Sequence, residues 1–411
     1  MPRTIVIGAG VIGLACAHAL RQRGREVILI DRDRPGMACS AGNAGWIVPS
    51  LSGPIAAPGL TATSIKWMTR SDSPLYIAPG SVPQLARWLW RFWRYCNRAD
   101  YLRGLEAVGR LNHNTLALFD RLQNDGLEFE IHRAGLLFAF VDPGYMRNAL
   151  AEFDQLAALG YRRPVGLDRA GMLAMEPLLS RRVRAGFLVE AEYHVRPESL
   201  SAAYAGRLEQ LGATLMTGVE VTGAGFATGR ARTVETTNGP IQGEEFLIAA
   251  GAWSGLVASC FDVSLPVQAG KGYSITLTGA STPLRRPLYL GEARVGCSPF
   301  ENAIRVAGTM ELSGINSVLN RRRVEGLRRA VQRYLDFPLA DGIEWVGMRP
   351  ITPDGLPLLG RLPRFDNVYI ATGHAMLGVT LAPATAESMA NLMTGHPAPE
   401  LAPFEPGRFN W

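Results

Sequence analysis

Residues 4–31 decide the fold: Thr4-Ile5-Val6-Ile7, then Gly8-Ala9-Gly10-Val11-Ile12-Gly13, a helical run to Arg23 closed by Gly24, and Glu26-Val27-Ile28-Leu29-Ile30 ending at Asp31. The two apolar runs have the length of buried parallel strands, and the stretch between them has helical periodicity. Gly8 permits a tight turn, Gly10 lets backbone approach a pyrophosphate, and Gly13 lets helix and strand pack closely. Free N–H groups at the helix start, around Val11 and Ile12, suit phosphate oxygens. Asp31, 18 residues beyond Gly13, can accept both ribose hydroxyls. A GxGxxG alone also occurs in Gly-rich turns. Strand, glycines, helix, strand and acid in that order predict a dinucleotide site in a doubly wound α/β domain. FAD and NAD share the ADP half, so the fingerprint alone serves both.

Composition narrows the function classes. At 411 residues the chain has room for two or three domains. With 47% apolar residues, 19% charged and a mean hydropathy of +0.05, a soluble globular protein is expected. The net charge is +6 without a long basic run, which argues against nucleic acid as a partner. Cys16, Cys39, Cys96, Cys260 and Cys297 form no CxxC pair, which argues against a disulfide framework and a zinc site and fits a cytoplasmic protein. The uncharged run Thr4–Leu20 imitates a signal peptide, but its glycines belong to the fingerprint. The uncharged stretch Ala41–Ile65 is broken by Pro49, Pro54 and Pro58 and reads as a structured loop.

After Asp31, Arg32-Asp33-Arg34-Pro35 runs into Ser40-Ala41-Gly42-Asn43-Ala44-Gly45-Trp46, without the helix-then-strand rhythm of a nicotinamide domain. This loop resembles the flavin-contacting loop of the D-amino acid oxidase and glycine oxidase superfamily. Similarity recurs at Gly212–Val221, where Val219 takes the adenine-contacting place, and at Phe246–Ser254, which holds Gly251 and Trp253. Val267–Thr276 and Met348–Gly355 are most similar to the bacterial D-amino acid dehydrogenase branch, and Gly373–Leu381 completes the set. The resemblance implies an α/β (α+β overall) chain: a Rossmann-like FAD-binding domain interleaved with an antiparallel-sheet substrate domain. It implies hydride transfer from the α-carbon of a small D-amino acid to flavin N5, with D-proline and 4-hydroxy-D-proline as candidate substrates. Non-covalent FAD is expected, because Met348 precedes Arg349 where monomeric sarcosine oxidases have a cysteine nearby.

The resemblance also carries cofactor contacts onto Gly8, Gly10, Val11, Ile12, Gly13, Asp31, Arg32, Ser40, Asn43, Ala44, Gly45, Trp46, Val219, Gly251 and Trp253. At the other end of the chain, strand Val368–Ala371, the loop 373–378 and a helix from about Thr380 to Thr394 repeat the logic of the first motif. Reduced flavin gathers negative charge that backbone N–H groups at a helix start can stabilise, which points to Gly373, Leu377, Gly378, Val379 and Thr380. His374 either bonds flavin or backbone, or shuttles a proton. Arg349 stands where the glycine oxidase branch places its carboxylate-binding arginine; the alternative is an exposed or cofactor-facing guanidinium. Tyr273 and Tyr289 are either a second polar contact to substrate or core tyrosines. Leu290–Val295 lacks the second tyrosine that glycine oxidases offer, so their narrow substrate preference is not expected. Rival readings are a glycine- or sarcosine-type oxidase using O2 and a non-catalytic flavin-binding module.

The expected FAD-binding domain comprises 1–80, 145–225, 240–262 and 345–411, and the substrate domain 81–144, 226–239 and 263–344. Residues 85–98 place Arg87, Arg91, Arg94 and Arg98 on one helix face, with Leu85, Leu89, Phe92 and Cys96 on another. This helix either packs on the substrate domain or rests in a lipid headgroup layer on the inner face of the cytoplasmic membrane. A dehydrogenase passing electrons to quinone or the respiratory chain would use the second arrangement.

Overall fold

The computed structural model describes residues 2–59, 75–279, 284–336, 339 and 342–409. Strand Arg3–Ile7, helix Val11–Gln22 and strand Glu26–Asp31 follow one another as the opening motif requires. They belong to a six-stranded sheet, ordered Thr214–Thr217, Glu26–Asp31, Arg3–Ile7, Glu245–Ile248, Val368–Thr372, Leu358–Arg361. All neighbours are parallel except the last pair.

Alternation along these strands divides the core in two. Val6, Leu29 and Leu247 point toward helices Val11–Gln22, Pro197–Gln210 and Gly378–Met393, which bring Leu14, Leu200, Leu381 and Met389. Ile5, Ile7, Ile30, Phe246 and Ile248 point the other way, toward Ala231 and Val234 of the hairpin Val221–Ala227/Arg230–Thr236.

A second, mainly antiparallel sheet runs Ile343–Ile351, Gln268–Thr278, Ala303–Leu312, Val295–Phe300, Leu288–Leu290, Leu136–Phe140, Ala185–Val189, Gly166–Asp168. Leu75–Ile77 adds to it beside Ala303–Leu312. Helix Arg321–Tyr334 closes one face, packing Val324, Leu327 and Val331 on Ile275 and Val306.

The interleaving is finer than the sequence suggests. Gly166–Asp168 and Ala185–Val189 join the large sheet, although 145–225 reads as cofactor domain. The hairpin containing 226–239 packs on the six-stranded sheet instead of the substrate side. Helices Arg98–Asn112 and Thr115–Asn124 put Val108, Leu111, Leu118 and Phe119 into the cofactor-side core, so 81–144 is not one substrate unit. Apolar periodicity reports that a face is buried; it does not report which sheet buries it.

Helix Val82–Tyr95 ends before Asn97, whose side chain caps the next helix by accepting from Asp100 N at 3.0 Å. Arg98 lies on that next helix, so the arginine stripe stops at Arg94. Leu85 and Trp88 are buried and, with Leu89 and Phe92, pack on Leu312 and Ile351. Trp88 Nε1 donates to Pro266 O at 2.9 Å. Trp90 and Trp93 remain 55% and 58% exposed. Residues 60–65 of the Ala41–Ile65 loop lie outside the described residues. All five cysteines are free.

Candidate active site

A cleft of about 420 Å³ lies between the two glycine loops. At one end Gly8, Gly10, Val11 and Ile12 form its floor and Asp31 its wall. Gly8 sits at φ +109°, and a Cβ there would lie 2.6 Å from Ala249 O. A Cβ on Gly13 would lie 1.8 Å from Gly8 O, so Gly13 serves helix–strand packing and not the cleft wall. Asp31 Oδ2 accepts from Ala9 N at 2.6 Å and Oδ1 from Asp33 N at 2.8 Å. Burial raises its pKa against the pull of those two bonds, and each oxygen keeps a second lone pair for a ligand hydroxyl. Arg32 lies 4.3 Å over the Trp253 ring, and both line the cleft with Val219 and Gly251.

The small-residue loop divides its work. Ser40 and Asn43 line the cleft, and Ser40 Oγ accepts from Val11 N at 3.1 Å. Ala44, Gly45 and Trp46 turn away to anchor the loop. Ser298 Oγ donates to Ala44 O at 2.7 Å and accepts from Trp46 Nε1 at 2.9 Å. Gly45 O accepts from Val195 N at 2.7 Å. Arg305, missed by the sequence reading, is buried, donates to Ala41 O at 2.7 Å and Asn43 O at 3.1 Å, and pairs with Glu198. No local motif marks it, because it reaches the loop from 264 positions away.

At the C-terminal loop, His374, Ala375, Gly378 and Val379 line the cleft. His374 is buried, its Nε2 lies 3.1 Å from Thr385 Oγ1, and burial lowers its pKa to about 3. A ring held neutral in this way does not exchange a proton near neutral pH, so the proton-shuttle role is not supported. Gly373, Leu377 and Thr380 stand behind the wall. Leu377 N donates to His374 O at 2.8 Å, and Thr380 Oγ1 donates to Trp46 O at 3.0 Å while accepting from Val48 N at 3.2 Å. The helix begins at Gly378, and Gly378 and Val379 of its first turn line the cleft.

Met348, Pro350 and Cys39 line the remaining wall. Arg349 lies behind them, its Nη1 donating to Thr309 O at 2.7 Å. Burial lowers its pKa, and its charge opposes the burial that pushes the Cys39 thiol up to about 11. Among the described residues no carboxylate pairs with Arg349.

The tyrosines take the packed alternative, not the substrate contact. Tyr273 is 1% exposed and donates to Glu311 Oε2 at 2.8 Å, inside the substrate-side core. Tyr289 packs edge-on against Trp46 and Phe138, at 5.8 and 5.2 Å, and lies off the cleft wall. The face each presents depends on how the sheet is covered, which neighbouring residues in sequence do not reveal.

A cleft lined by a close-approach glycine turn, by an aspartate with free lone pairs and by the start of a second helix fits a flavin dinucleotide. Among the described residues there is no cluster of metal-ligating side chains and no helix long and apolar enough to cross a membrane. Residues 3–392 match the family model for DAO, FAD dependent oxidoreductase. A D-amino acid dehydrogenase of Chromohalobacter salexigens is 31% identical over 408 residues, covering 96% of each chain. Glycine oxidase from Geobacillus kaustophilus shares the fold with a TM-score of 0.77 at 21% identity, covering 99% of both chains. L-α-glycerophosphate oxidase from Mycoplasma pneumoniae, with FAD bound, superposes with a TM-score of 0.74 at 17% identity, covering 96% of this chain and 95% of its own. This chain belongs to the DAO family of FAD-dependent oxidoreductases.

Proposed function

We propose that this chain is a D-amino acid dehydrogenase in which Arg349 holds the substrate carboxylate. The observation that carries the reading is a partly buried guanidinium held by one main-chain carbonyl and, among the described residues, by no acidic side chain. A cation partly withdrawn from water without an anion is left with unused hydrogen-bonding capacity, and a bidentate carboxylate is the ligand its planar fork suits best. Full-length likeness to relatives named D-amino acid dehydrogenase supplies the class of acid.

FAD, when bound, supplies the two-electron acceptor for oxidising a C–N bond. The protein has to orient the amine, keep water out and steady the charge that the cofactor gains. Arg349 fixes the carboxylate, so that one face of the α-carbon meets the cleft. The first-turn N–H groups at Gly378 and Val379 stabilise negative charge without changing protonation. His374, neutral and tied to Thr385, holds the shape of that loop. Small D-amino acids, with D-proline and 4-hydroxy-D-proline first among them, are the substrates to test.

The electron acceptor in this reading is a membrane quinone. Exposed Trp90 and Trp93 beside Arg87, Arg91 and Arg94 make a surface suited to an anionic headgroup layer. Anaerobic addition of D- and L-amino acids tests the whole reading. A D-amino acid should bleach the flavin and support turnover with an artificial acceptor, with slow reoxidation in air. Fast reoxidation would favour a glycine- or sarcosine-type oxidase, and absence of bleaching a binding module. Sedimentation with anionic liposomes at low salt should fall on charge reversal at Arg87, Arg91 and Arg94.

A further inference from the structure

We propose that a buried ion-pair staple, Lys271, Glu311 and Tyr273, positions Arg349 from the opposite face of the large sheet by holding a bulge at Thr309; this rests on the carboxylate role given to Arg349 above. The strand Gln268–Thr278 lies between Ala303–Leu312 and Ile343–Ile351. Against Ile343–Ile351 its register is unbroken, from Gln268 opposite Ile351 to Thr276 opposite Ile343. Against Ala303–Leu312 it slips. Tyr273 pairs with Gly308 and Lys271 with Glu311, so Gly272 alone faces both Thr309 and Met310. Bulges of this kind re-aim groups beside functional sites.

Thr309 takes φ +58°, a left-handed conformation that a β-branched residue adopts only when its surroundings impose it. Its Oγ1 is buried without a hydrogen-bond partner. The local structure thus carries backbone strain and an unsatisfied hydroxyl, and what it obtains is the direction of one carbonyl. That carbonyl accepts from Arg349 Nη1 at 2.7 Å. The guanidinium lies over the residue opposite the bulge, since a Cβ on Gly272 would fall 2.4 Å from Arg349 Cζ.

Lys271 and Tyr273 flank Gly272, so by strand alternation both point to the other face. There the Glu311 carboxylate spans the bulge. Its Oε1 lies 3.1 Å from Lys271 Nζ, and its Oε2 accepts from Tyr273 Oη at 2.8 Å. Lys271 also donates to Asn316 Oδ1 and Val318 O, each at 2.8 Å, and Asn320 Nδ2 to Glu311 Oε2 at 3.3 Å. One carboxylate therefore ties the residue before the slip to the residue after it, in a network with its main donors satisfied. Buried ion pairs add little stability over apolar replacements. A satisfied buried network does add rigidity, which a clamp that must keep its aim requires. Lys271, Glu311 and Tyr273 are accordingly positioning residues.

The test uses the FAD-loaded enzyme with D-alanine and D-alaninamide, or D-proline and D-prolinamide if the enzyme prefers the ring. The triple variant Lys271→Met/Tyr273→Phe/Glu311→Leu removes the staple without leaving an orphan charge. Thr309→Pro, in a second protein, forbids the positive φ directly. Each variant that retains flavin and the wild-type melting temperature should lose acid kcat/KM by on the order of 10-fold or more, as misplacement of a substrate-orienting group implies, with the amide changed far less. A folded, flavin-bearing variant with the wild-type acid-to-amide ratio would overturn the staple. Arg349→Ala in parallel separates the two ideas. If it discriminates acid from amide and the staple variants do not, only the staple fails. If it lowers both substrates equally, the carboxylate reading fails and takes the staple with it.

Discussion

At the nucleotide end of the cleft, Gly8, Gly10, Asp31 and Ser40 lie within one short stretch of chain and are held largely by each other. At the proposed substrate end, Arg349 is held by Thr309, lies over Gly272 and has a charge that opposes the effect of burial on Cys39, three segments far apart in sequence. The first region is a local steric code, in which each glycine answers to an atom a few residues or one strand away. The second depends on strand register. Local codes break all at once, whereas register-dependent sites lose their aim before they lose their fold.

The largest effect should come from the local code. Gly13→Val inserts atoms where even a Cβ would lie 1.8 Å from Gly8 O. Overpacking of this kind costs roughly 1–3 kcal/mol or more, and here it separates the helix start from the strand. The purified variant should lack most of its flavin absorbance and melt well below wild type. Full flavin loading would show that the fingerprint is not the anchor it is taken to be.

A smaller effect sharpens the other side. Glu192 is buried beneath the short turn that follows the flavin loop, its Oε1 accepting from Ser50 N at 2.9 Å, while Glu192 Oε2 and Ser50 Oγ are buried without partners. Burial raises its pKa to about 8. Because the folded state holds this proton more tightly than the unfolded chain, its contribution is complete below the ordinary carboxylate range. That contribution declines as pH rises through about 8, by at most about 1.4 kcal/mol per pH unit. Wild type should therefore lose melting temperature between pH 5.5 and 8 more steeply than Glu192→Gln. Parallel curves would mean that Glu192 is ionised in the folded protein.

The same contrast explains what could be read in the sequence. Strand, glycine turn and helix at 3–22 were legible because periodicity and sterics act within a few residues. So was the second helix start, which falls at Gly378, two residues before the expected Thr380. Whether Tyr273 meets substrate or core was not legible, because its face is covered by helix Arg321–Tyr334, about fifty residues on. Arg305 was not legible at all, since nothing near it in sequence announces a carbonyl at Ala41. The bulge at Thr309 appears only when two strands are laid in register, and the domain limits erred where a buried stripe could not name its partner sheet.

The central claim is that Arg349 serves the substrate carboxylate and not the cofactor. Steady-state kinetics of Arg349→Ala and Arg349→Lys with a D-amino acid and its amide test it most directly. Removing one partner of a buried charged pair costs roughly 2–5 kcal/mol, or at least about 30-fold in kcat/KM for the acid. Lysine should rescue poorly, because it keeps the charge and loses the planar fork. The account predicts that loss for the acid, little change for the amide and undiminished flavin content. Equal losses on acid and amide, or a variant that no longer holds FAD, would contradict it.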